Sequence, residues 1–275
     1  MILGYIIFTD LDGTLIDHDT YSYEAARPAL NLLKQKDVPL IFCTSKTRAE
    51  IEVYVEELDC RHPFISENGG GIFIPKGYFD IDLKFDHRIG DYNVIELGTN
   101  YSNLKDALVE ISKSAGIEII NFANMTTEEV SEDTGLDIHS AGLAKLREYD
   151  EVFRIIDETE EKASLMMELI RSAGYNHTRG GRYWHIIGNN DKGKAVRMLS
   201  DIYRKQFTDI TTVGLGDSLN DLPMLGSVDI PVLVQKPGSL HDPSITDPKI
   251  KRVKGIGPIG WNNAVSEIIE KGSEI

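Results

Sequence analysis

The sequence contains few cysteines and no long hydrophobic run. Cysteine occurs twice in 275 residues, as Cys43 in a predicted buried strand and as Cys60 at a predicted helix end. Two such thiols do not form the disulfide framework of a small secreted protein. The apolar N-terminal run reaches Asp10 too early for a signal peptide, and no window approaches the length of a transmembrane helix. We therefore expect reduced cysteines, no membrane association and a cytoplasmic location.

Positive charge is also scarce. The chain has 29 lysine and arginine residues against 44 aspartate and glutamate residues, a formal net charge of −15. Nucleic-acid binding requires a basic stripe, so a nucleic-acid partner is not expected. An anionic membrane surface would repel this chain for the same reason. An enzyme of this charge that binds an anionic substrate must create its positive field locally.

The length and the element pattern predict the fold class. A chain of 275 residues exceeds the size at which one core keeps growing, so two domains are expected. Strand and helix patterns alternate, which predicts an α/β fold with a Rossmann-like, doubly wound parallel sheet. The pattern changes character from about residue 85 to residue 190. We predict a core domain from residues 1–84 and 191–275, and an inserted α/β cap domain from residues 85–190 that begins with a strand near Asn93–Leu97.

Two aspartates follow the first predicted strand. The apolar run ends in the sequence Asp10-Leu-Asp12-Gly13-Thr. Two carboxylates this close repel each other, and burial would raise the pKa of at least one of them. A metal cation offsets that cost, and a carboxylate of this kind can act as a nucleophile on phosphorus. An ordinary polar turn is the alternative for an isolated Asp-Gly pair.

A hydroxyl pair follows the second predicted strand. Thr44 and Ser45 stand at its end, immediately before a predicted helix near Arg48. A hydroxyl at this place can donate to a phosphate oxygen. The alternative is that Ser45 or Thr47 caps the helix, with Glu50 completing a capping box.

Two further segments carry charged groups at corresponding places. Lys192 opens a predicted helix, where the macrodipole favours anions, so its ammonium should point elsewhere, toward a phosphate or a carboxylate. The strand near Val213 ends in Gly216-Asp217-Ser-Leu-Asn220-Asp221. Oxygen ligands at that density suit Mg²⁺. Ligands of open α/β sheets bind at the carboxyl ends of the strands, which is where these segments lie.

Taken in chain order, these four segments resemble the motifs of the haloacid-dehalogenase-like phosphohydrolase superfamily. The resemblance implies that Asp10 is the nucleophile, that Asp12 is the general acid/base, and that Lys192 clamps charge. It implies that Ser45 or Thr44 holds the phosphate. It also implies Mg²⁺ as cofactor, bound by Asp10, by the Asp12 carbonyl and by Asp217, with support from a second layer formed by Asn220 and Asp221.

The inserted segment holds the clearest specificity signal, Thr178-Arg179-Gly180-Gly181-Arg182-Tyr-Trp-His185. Two arginines around a Gly-Gly turn can present guanidinium groups to an anion. A surface hairpin whose arginines only serve solubility is the alternative.

An inserted α/β domain between the second and third motifs resembles the type-II cap of the sugar-phosphate branch of the superfamily. Within that branch, the turn and the segments Ser66-Glu67-Asn68-Gly, Arg147-Glu-Tyr-Asp150 and Gly216–Leu225 resemble the mannosyl-3-phosphoglycerate phosphatases. The likeness implies a small phosphorylated sugar-acid substrate. The residues that it places around this substrate are Glu67, Asn68, Arg179, Gly180, Gly181, Arg182 and His185.

The implied reaction is Mg²⁺-dependent hydrolysis of mannosyl- or glucosyl-3-phosphoglycerate to the glycosylglycerate, a compatible solute. One alternative is another sugar-phosphate enzyme with the same core, either a sucrose-phosphate phosphatase or a phosphomannomutase. A sugar-phosphate sensor without catalysis is the alternative from another class. A sensor has no need of Asp12.

Overall fold

The computed structural model describes residues 4–271. The strands are β1 (Tyr5–Thr9), β2 (Leu40–Phe42), β3 (Phe64–Ser66), β4 (Gly71–Pro75), β5 (His87–Ile89), β6 (Tyr92–Glu96), β7 (Ile119–Asn121), β8 (Asp150–Ile155), β9 (Asn176–Gly180), β10 (Tyr183–Ile187), β11 (Thr211–Gly216), β12 (Ile230–Gln235) and β13 (Lys251–Ile256). The helices are α1 (Arg27–Gln35), α2 (Arg48–Glu57), α3 (Tyr101–Ala115), α4 (Thr127–Thr134), α5 (Ile138–Ala144), α6 (Glu160–Ser172), α7 (Lys192–Gln206), α8 (Leu222–Leu225) and α9 (Pro258–Lys271).

A five-stranded sheet forms the core, in the order β13-β12-β11-β1-β2. All four of its strand pairs are parallel. Strand β1 is buried on both faces. Ile7 packs with α1 and α9 on one face, while Ile6 and Phe8 pack with α7 and α8 on the other. Helices on both faces are what a fully buried parallel sheet requires. The prediction of a doubly wound α/β core is therefore confirmed.

A second sheet extends the core beyond β2. Its order is β3-β4-β6-β5, and its strand pairs are antiparallel. An isolated bridge between Cys43 and Ile65 joins it to the parallel sheet. Strands β5 and β6 lie inside the predicted cap segment, yet they pair with the core side. The pairing of β5 and β6 thus indicates that an inserted unit would begin near Gly98 rather than at residue 85. The division of the chain into two units stays a prediction.

The third sheet, β7-β8-β10-β9, lies in the inserted segment and is antiparallel. Helices α3 and α6 cover one of its faces, where Leu108, Met166 and Ile186 belong to one buried cluster. Helices α4 and α5 enclose a smaller cluster around Val130 and Val152. The segment therefore has hydrophobic clusters of its own, as a cap should.

No helix among residues 4–271 combines the length and the hydropathy that a membrane crossing requires. The same stretch contains both cysteines as buried free thiols.

Candidate active site

Asp10 lies at the carboxyl end of β1 and is 5% exposed. Its backbone N–H donates to the Leu215 carbonyl at 2.9 Å, which places it beside the end of β11. Lys192 Nζ donates to Asp10 Oδ1 at 2.6 Å and to Asp221 Oδ1 at 2.7 Å. A charged lysine shared by two buried carboxylates fixes the orientation of both. Three of the four predicted segments therefore meet at one point.

Local structure explains how Lys192 reaches these carboxylates. Asp191 caps α7, because its side chain accepts the N–H of Lys194 at 2.8 Å. Gly193 follows, and a Cβ there would lie 2.3 Å from the Pro223 carbonyl oxygen. Only glycine allows the start of α7 to approach α8 so closely. That approach brings the lysine to Asp221.

Carboxylate oxygens of Asp10, Asp217 and Asp221 lie within 4.8 Å of one another, and all three residues are buried. Asp221 Oδ2 accepts the backbone N–H groups of Asp217 and Ser218 at 3.0 and 3.1 Å. Both carboxylate oxygens of Asp221 thus accept hydrogen bonds from the protein, whereas the carboxylates of Asp217 and Asp10 can still bind a further ligand. The hard-oxygen chemistry of this cluster fits a divalent cation.

The electrostatics of the cluster point the same way. Burial raises the pKa of Asp10 well above its ordinary value; Lys192 opposes this rise, and the neighbouring carboxylates of Asp221 and Asp217 add to it. Burial, together with Asp221, raises the pKa of Asp217 to about 6. Such shifts mark buried negative charge that the surrounding protein compensates only in part. A bound cation would supply the missing compensation.

The hydroxyl pair after β2 divides into two roles. Thr47, not Ser45, caps α2, and its capping box with Glu50 is complete at 3.1 and 2.9 Å. Thr44 is fully buried, and its hydroxyl accepts the Lys46 N–H at 3.3 Å. Ser45 borders the cavity described below. Of the two candidates, Ser45 is therefore placed to meet a phosphate.

Asp12 contacts a lysine that the motif analysis did not single out. Lys46 Nζ lies 3.0 Å from Asp12 Oδ1 and 3.5 Å from Glu50 Oε1, and its side chain is 9% exposed. Burial disfavours the ammonium, but the two carboxylates outweigh that effect and raise the pKa of Lys46 above its ordinary value. Lys46 is therefore a cation. Its place next to Ser45 in the sequence is the signal that could have identified it.

A cavity of about 780 Å³ separates the core strand ends from the cap. The core contributes Asp10, Asp12, Ser45, Lys46, Asp217 and Asn220 to its lining. The cap contributes Gly180, Gly181, Arg182 and His185. Most of the predicted site residues therefore converge on one space, which lies between the strand ends of the parallel sheet and the inserted segment.

The family model for haloacid dehalogenase-like hydrolase matches residues 7–236, which is most of the chain and includes all four motifs. The chain belongs to the haloacid dehalogenase-like hydrolases.

Relatives within this hydrolase family match most or nearly all of the chain. The chain is 64% identical over 273 residues to the glucosyl-3-phosphoglycerate/mannosyl-3-phosphoglycerate phosphatase of Methanococcoides burtonii, covering 99% of this chain and 100% of the relative. It is 39% identical to a protein of the same name from Persephonella marina, covering 97% of each chain. It is 40% identical over 224 residues to the mannosyl-3-phosphoglycerate phosphatase of Pyrococcus horikoshii, covering 82% of this chain and 88% of the relative.

Solved structures share the fold of this hydrolase at low identity. The structure of Thermoplasma acidophilum 0175 superposes with a TM-score of 0.67 at 18% identity, covering 98% of this chain and 99% of the other. A sucrose-phosphatase from Synechocystis superposes with a TM-score of 0.62 at 11% identity, covering 97% and 98%. Both likenesses extend over nearly the whole of this chain.

The two arginines of the Gly-Gly turn lie in different places in this hydrolase. Arg182 borders the cavity, next to the Tyr183 ring at 5.3 Å. Arg179 is paired with Trp184 across β9 and β10, stacks on that ring at 4.7 Å and bonds Glu158 at 2.8 Å. Successive residues of a strand point to opposite faces, so Arg179 lies on the face away from His185. Of the two arginines that were expected to meet the substrate, the structure therefore places only Arg182 at the cavity, and its contact with a substrate stays a prediction.

Glu67 and Asn68 do not border the cavity, contrary to their predicted role as pocket residues. Glu67 is fully buried, and its carboxylate accepts the backbone N–H groups of Glu148, Tyr149 and Asp150 at 2.7–3.1 Å. Asn68 donates to Asp150 Oδ2 at 3.1 Å. These two residues therefore fasten the start of β8 to the core.

Sequence reasoning from the motifs did not foresee the partner of His185. The His185 Nδ1 lies 3.0 Å from Asp150 Oδ2, and Arg147 bonds the other oxygen of Asp150. Arg147 also donates to the Ser45 carbonyl at 2.8 Å. Although burial raises it, Arg147 and His185 hold the pKa of Asp150 below its ordinary value. This chain of contacts connects His185 in the inserted segment to the backbone of Ser45.

Proposed function

We propose that this hydrolase is a Mg²⁺-dependent phosphatase of glucosyl-3-phosphoglycerate and mannosyl-3-phosphoglycerate. The observation that carries the proposal is one cavity in which Asp10, held by Lys192, stands near Asp12, held by Lys46, beneath the cap turn. The full-length relatives bearing that name support the substrate class. The products are the glycosylglycerate and inorganic phosphate, and a cytoplasmic location belongs to the same proposal.

In the first step, an Asp10 oxygen attacks phosphorus and the ester bond to the glycerate oxygen breaks. The only hydrogen bond to the Asp10 side chain among residues 4–271 goes to Oδ1, so Oδ2 is available for attack. Asp12 gives its proton to the departing oxygen, which leaves as an alcohol. The result is an aspartyl-phosphate on Asp10.

In the second step, Asp12 takes a proton from water, and the water oxygen attacks phosphorus. The bond between phosphorus and Asp10 breaks, which releases phosphate and restores the carboxylate. Ser45 donates to a phosphate oxygen, and Lys192 keeps Asp10 in line. Positioning and charge neutralisation are the main tasks of a protein in such transfers.

The carboxylates of Asp10 and Asp217, with the backbone carbonyl of Asp12, would hold Mg²⁺. Asp221 supports them from behind, since both of its oxygens are bonded to the protein, and Asn220 borders the same side of the cavity. When bound, Mg²⁺ neutralises the charge of the phosphate and of the cluster.

Release of phosphate from a panel of substrates tests this proposal. The panel contains mannosyl- and glucosyl-3-phosphoglycerate, sucrose 6-phosphate and mannose 1-phosphate. We expect the highest kcat/KM for the two glycosyl-phosphoglycerates. Fastest release from sucrose 6-phosphate would favour a sucrose-phosphate phosphatase instead, and isomerisation of mannose 1-phosphate without release would favour the mutase. Micromolar binding of substrate with no turnover in the presence of Mg²⁺ would favour the sensor.

A further inference from the structure

We propose that Lys46 grips the carboxylate of the leaving group and so selects phosphoglycerate esters over other phosphate esters. The inference rests on the proposed function and deepens it, because it assigns the acid end of the substrate to one side chain of the core. The cap turn is then free to contact the sugar.

The position of Lys46 follows from the chemistry of Asp12. A general acid must lie within hydrogen-bond reach of the oxygen that it protonates. Lys46 Nζ lies 3.0 Å from Asp12 Oδ1, on the cavity wall. In a 3-phosphoglycerate ester, the carboxylate carbon lies only three bonds from the leaving oxygen. A cation beside Asp12 therefore stands where the substrate carboxylate arrives.

Lys46 has a donor to spare. An ammonium carries three N–H donors, and within residues 4–271 its polar contacts are to Asp12 and Glu50 alone. The contact with Glu50 is weak, because Lys46 Nζ and Glu50 Oε1 are 3.5 Å apart. The other Glu50 oxygen accepts the Thr47 N–H at the start of α2, where the helix dipole favours its charge. The centroid of the Tyr21 ring, which also borders the cavity, lies 5.4 Å from Nζ.

The other cations on the cavity wall are less suited to the carboxylate. The Arg147 guanidinium is occupied by Asp150 and by two backbone carbonyls. Lys236 bonds Asp242 at 2.8 Å and faces Asp217. Arg182 is exposed at the tip of the cap turn. Lys46 is buried, cationic and next to the proposed acid, so it can donate its free N–H to one anionic group with little rearrangement.

The experiment compares mannosyl-3-phosphoglycerate with its carboxamide, which has the same phosphate ester and sugar but no negative carboxylate. We expect the wild type to prefer the acid. In Lys46→Met, kcat/KM for the acid should fall about 10–150-fold relative to the amide, as expected when a charged hydrogen bond worth roughly 1.5–3 kcal/mol is lost. Lys46→Arg should keep part of the preference, because it keeps the charge.

The ratio of the two substrates separates recognition from other effects of the substitution. Any change in Asp12 or in folding acts on both substrates, so it cancels in the ratio. Lys236→Met serves as the matched control, since it removes another cavity lysine and should leave the ratio at the wild-type value. An equal loss on both substrates in Lys46→Met would overturn the inference alone. A wild type that hydrolyses neither substrate would overturn the proposed function and the inference with it.

Discussion

Two buried lysines mark the two sides of the active site, and they differ in what they face. Lys192 holds Asp10, and its side chain is fully enclosed by the core. Lys46 contacts Asp12 and borders the cavity. The first lysine therefore serves the part of the reaction that is the same for every phosphate ester. The second faces the leaving group, which is the part of the substrate that varies. A buried lysine–aspartate ion pair can therefore serve either catalysis or the selection of the substrate.

The largest effect is expected on the Lys192 side. Asp10→Asn should abolish essentially all turnover on every substrate, because a neutral amide is a poor nucleophile and a weaker metal ligand. Phosphate release from a glycosyl-phosphoglycerate and from p-nitrophenyl phosphate measures the loss. The thermal unfolding midpoint, compared with that of the wild type, checks that the variant folds. Near-normal activity in a preparation free of wild-type enzyme would rule out the proposed nucleophile.

On the Lys46 side, the loss should depend on the leaving group. Asp12→Asn should lower kcat about 10²–10⁴-fold on a sugar-acid ester, whose alcohol needs a proton to leave. The first step should suffer less with p-nitrophenyl phosphate, because nitrophenolate leaves without one. The phosphoenzyme should then accumulate, since hydrolysis still needs the base, and a burst of nitrophenolate would reveal it. The same loss in the first step for both leaving groups would contradict the role of Asp12 as general acid.

The sequence predicted the Lys192 side better than the cap, and the reason is physical. The residues Asp10, Ser45, Lys192 and Asp217 stand where buried strands end or a helix begins, so local patterns locate them and the parallel sheet brings the ends together. The doubly wound core was predictable for the same reason. The edge strand β13 was not predicted, because its alternating charged residues leave only Val253 buried. Its pairing with β12 is a tertiary contact.

Roles that depend on long-range contacts could not be predicted from the sequence. Glu67 resembles a pocket residue in its motif, yet its partners lie more than 80 residues away, at the start of β8. The orientation of Arg179 is set by its register opposite Trp184. A one-residue shift in that pairing would have turned Arg179 to the other face. Neither fact is encoded in local spacing.

A smaller effect is expected from the cap turn, and it should depend on the sugar. Arg182→Ala should lower kcat/KM about 10–150-fold for mannosyl-3-phosphoglycerate, the range for one charged hydrogen bond. It should change hydrolysis of unglycosylated 3-phosphoglycerate much less, whereas Lys46→Met should impair both. Arg179→Ala is the matched control, because Arg179 faces Glu158 and not the cavity. An equal loss of kcat/KM in the two arginine variants would indicate that the turn has a structural role and does not contact the sugar.

The last effect is on the stability of the protein rather than on turnover, and it comes from the metal cluster behind Asp10 and its dependence on pH. Burial and Asp221 raise the pKa of Asp217 to about 6, so the metal-free folded protein holds a proton there more tightly than the unfolded chain. The stability that this proton contributes is fully present below the ordinary pKa of an aspartate, about 4, and is lost as the pH rises through 6. A divalent cation competes with the proton. Stabilisation by Mg²⁺ should therefore be large at pH 8 and should decline as the pH falls through 6.

At a concentration of Mg²⁺ about 100 times its Kd, the gain at pH 8 should be about 2.7 kcal/mol, or about 5–10 °C in the unfolding midpoint. Asp217→Asn is the decisive comparison. It should raise the midpoint of the metal-free protein at pH 8, because a neutral amide replaces a buried charge, and it should remove most of the response to Mg²⁺. Thermal unfolding with and without a chelator at pH 5 and pH 8 measures both effects. A Mg²⁺ response that is equal at the two pH values, or that persists in Asp217→Asn, would place the ion outside this cluster.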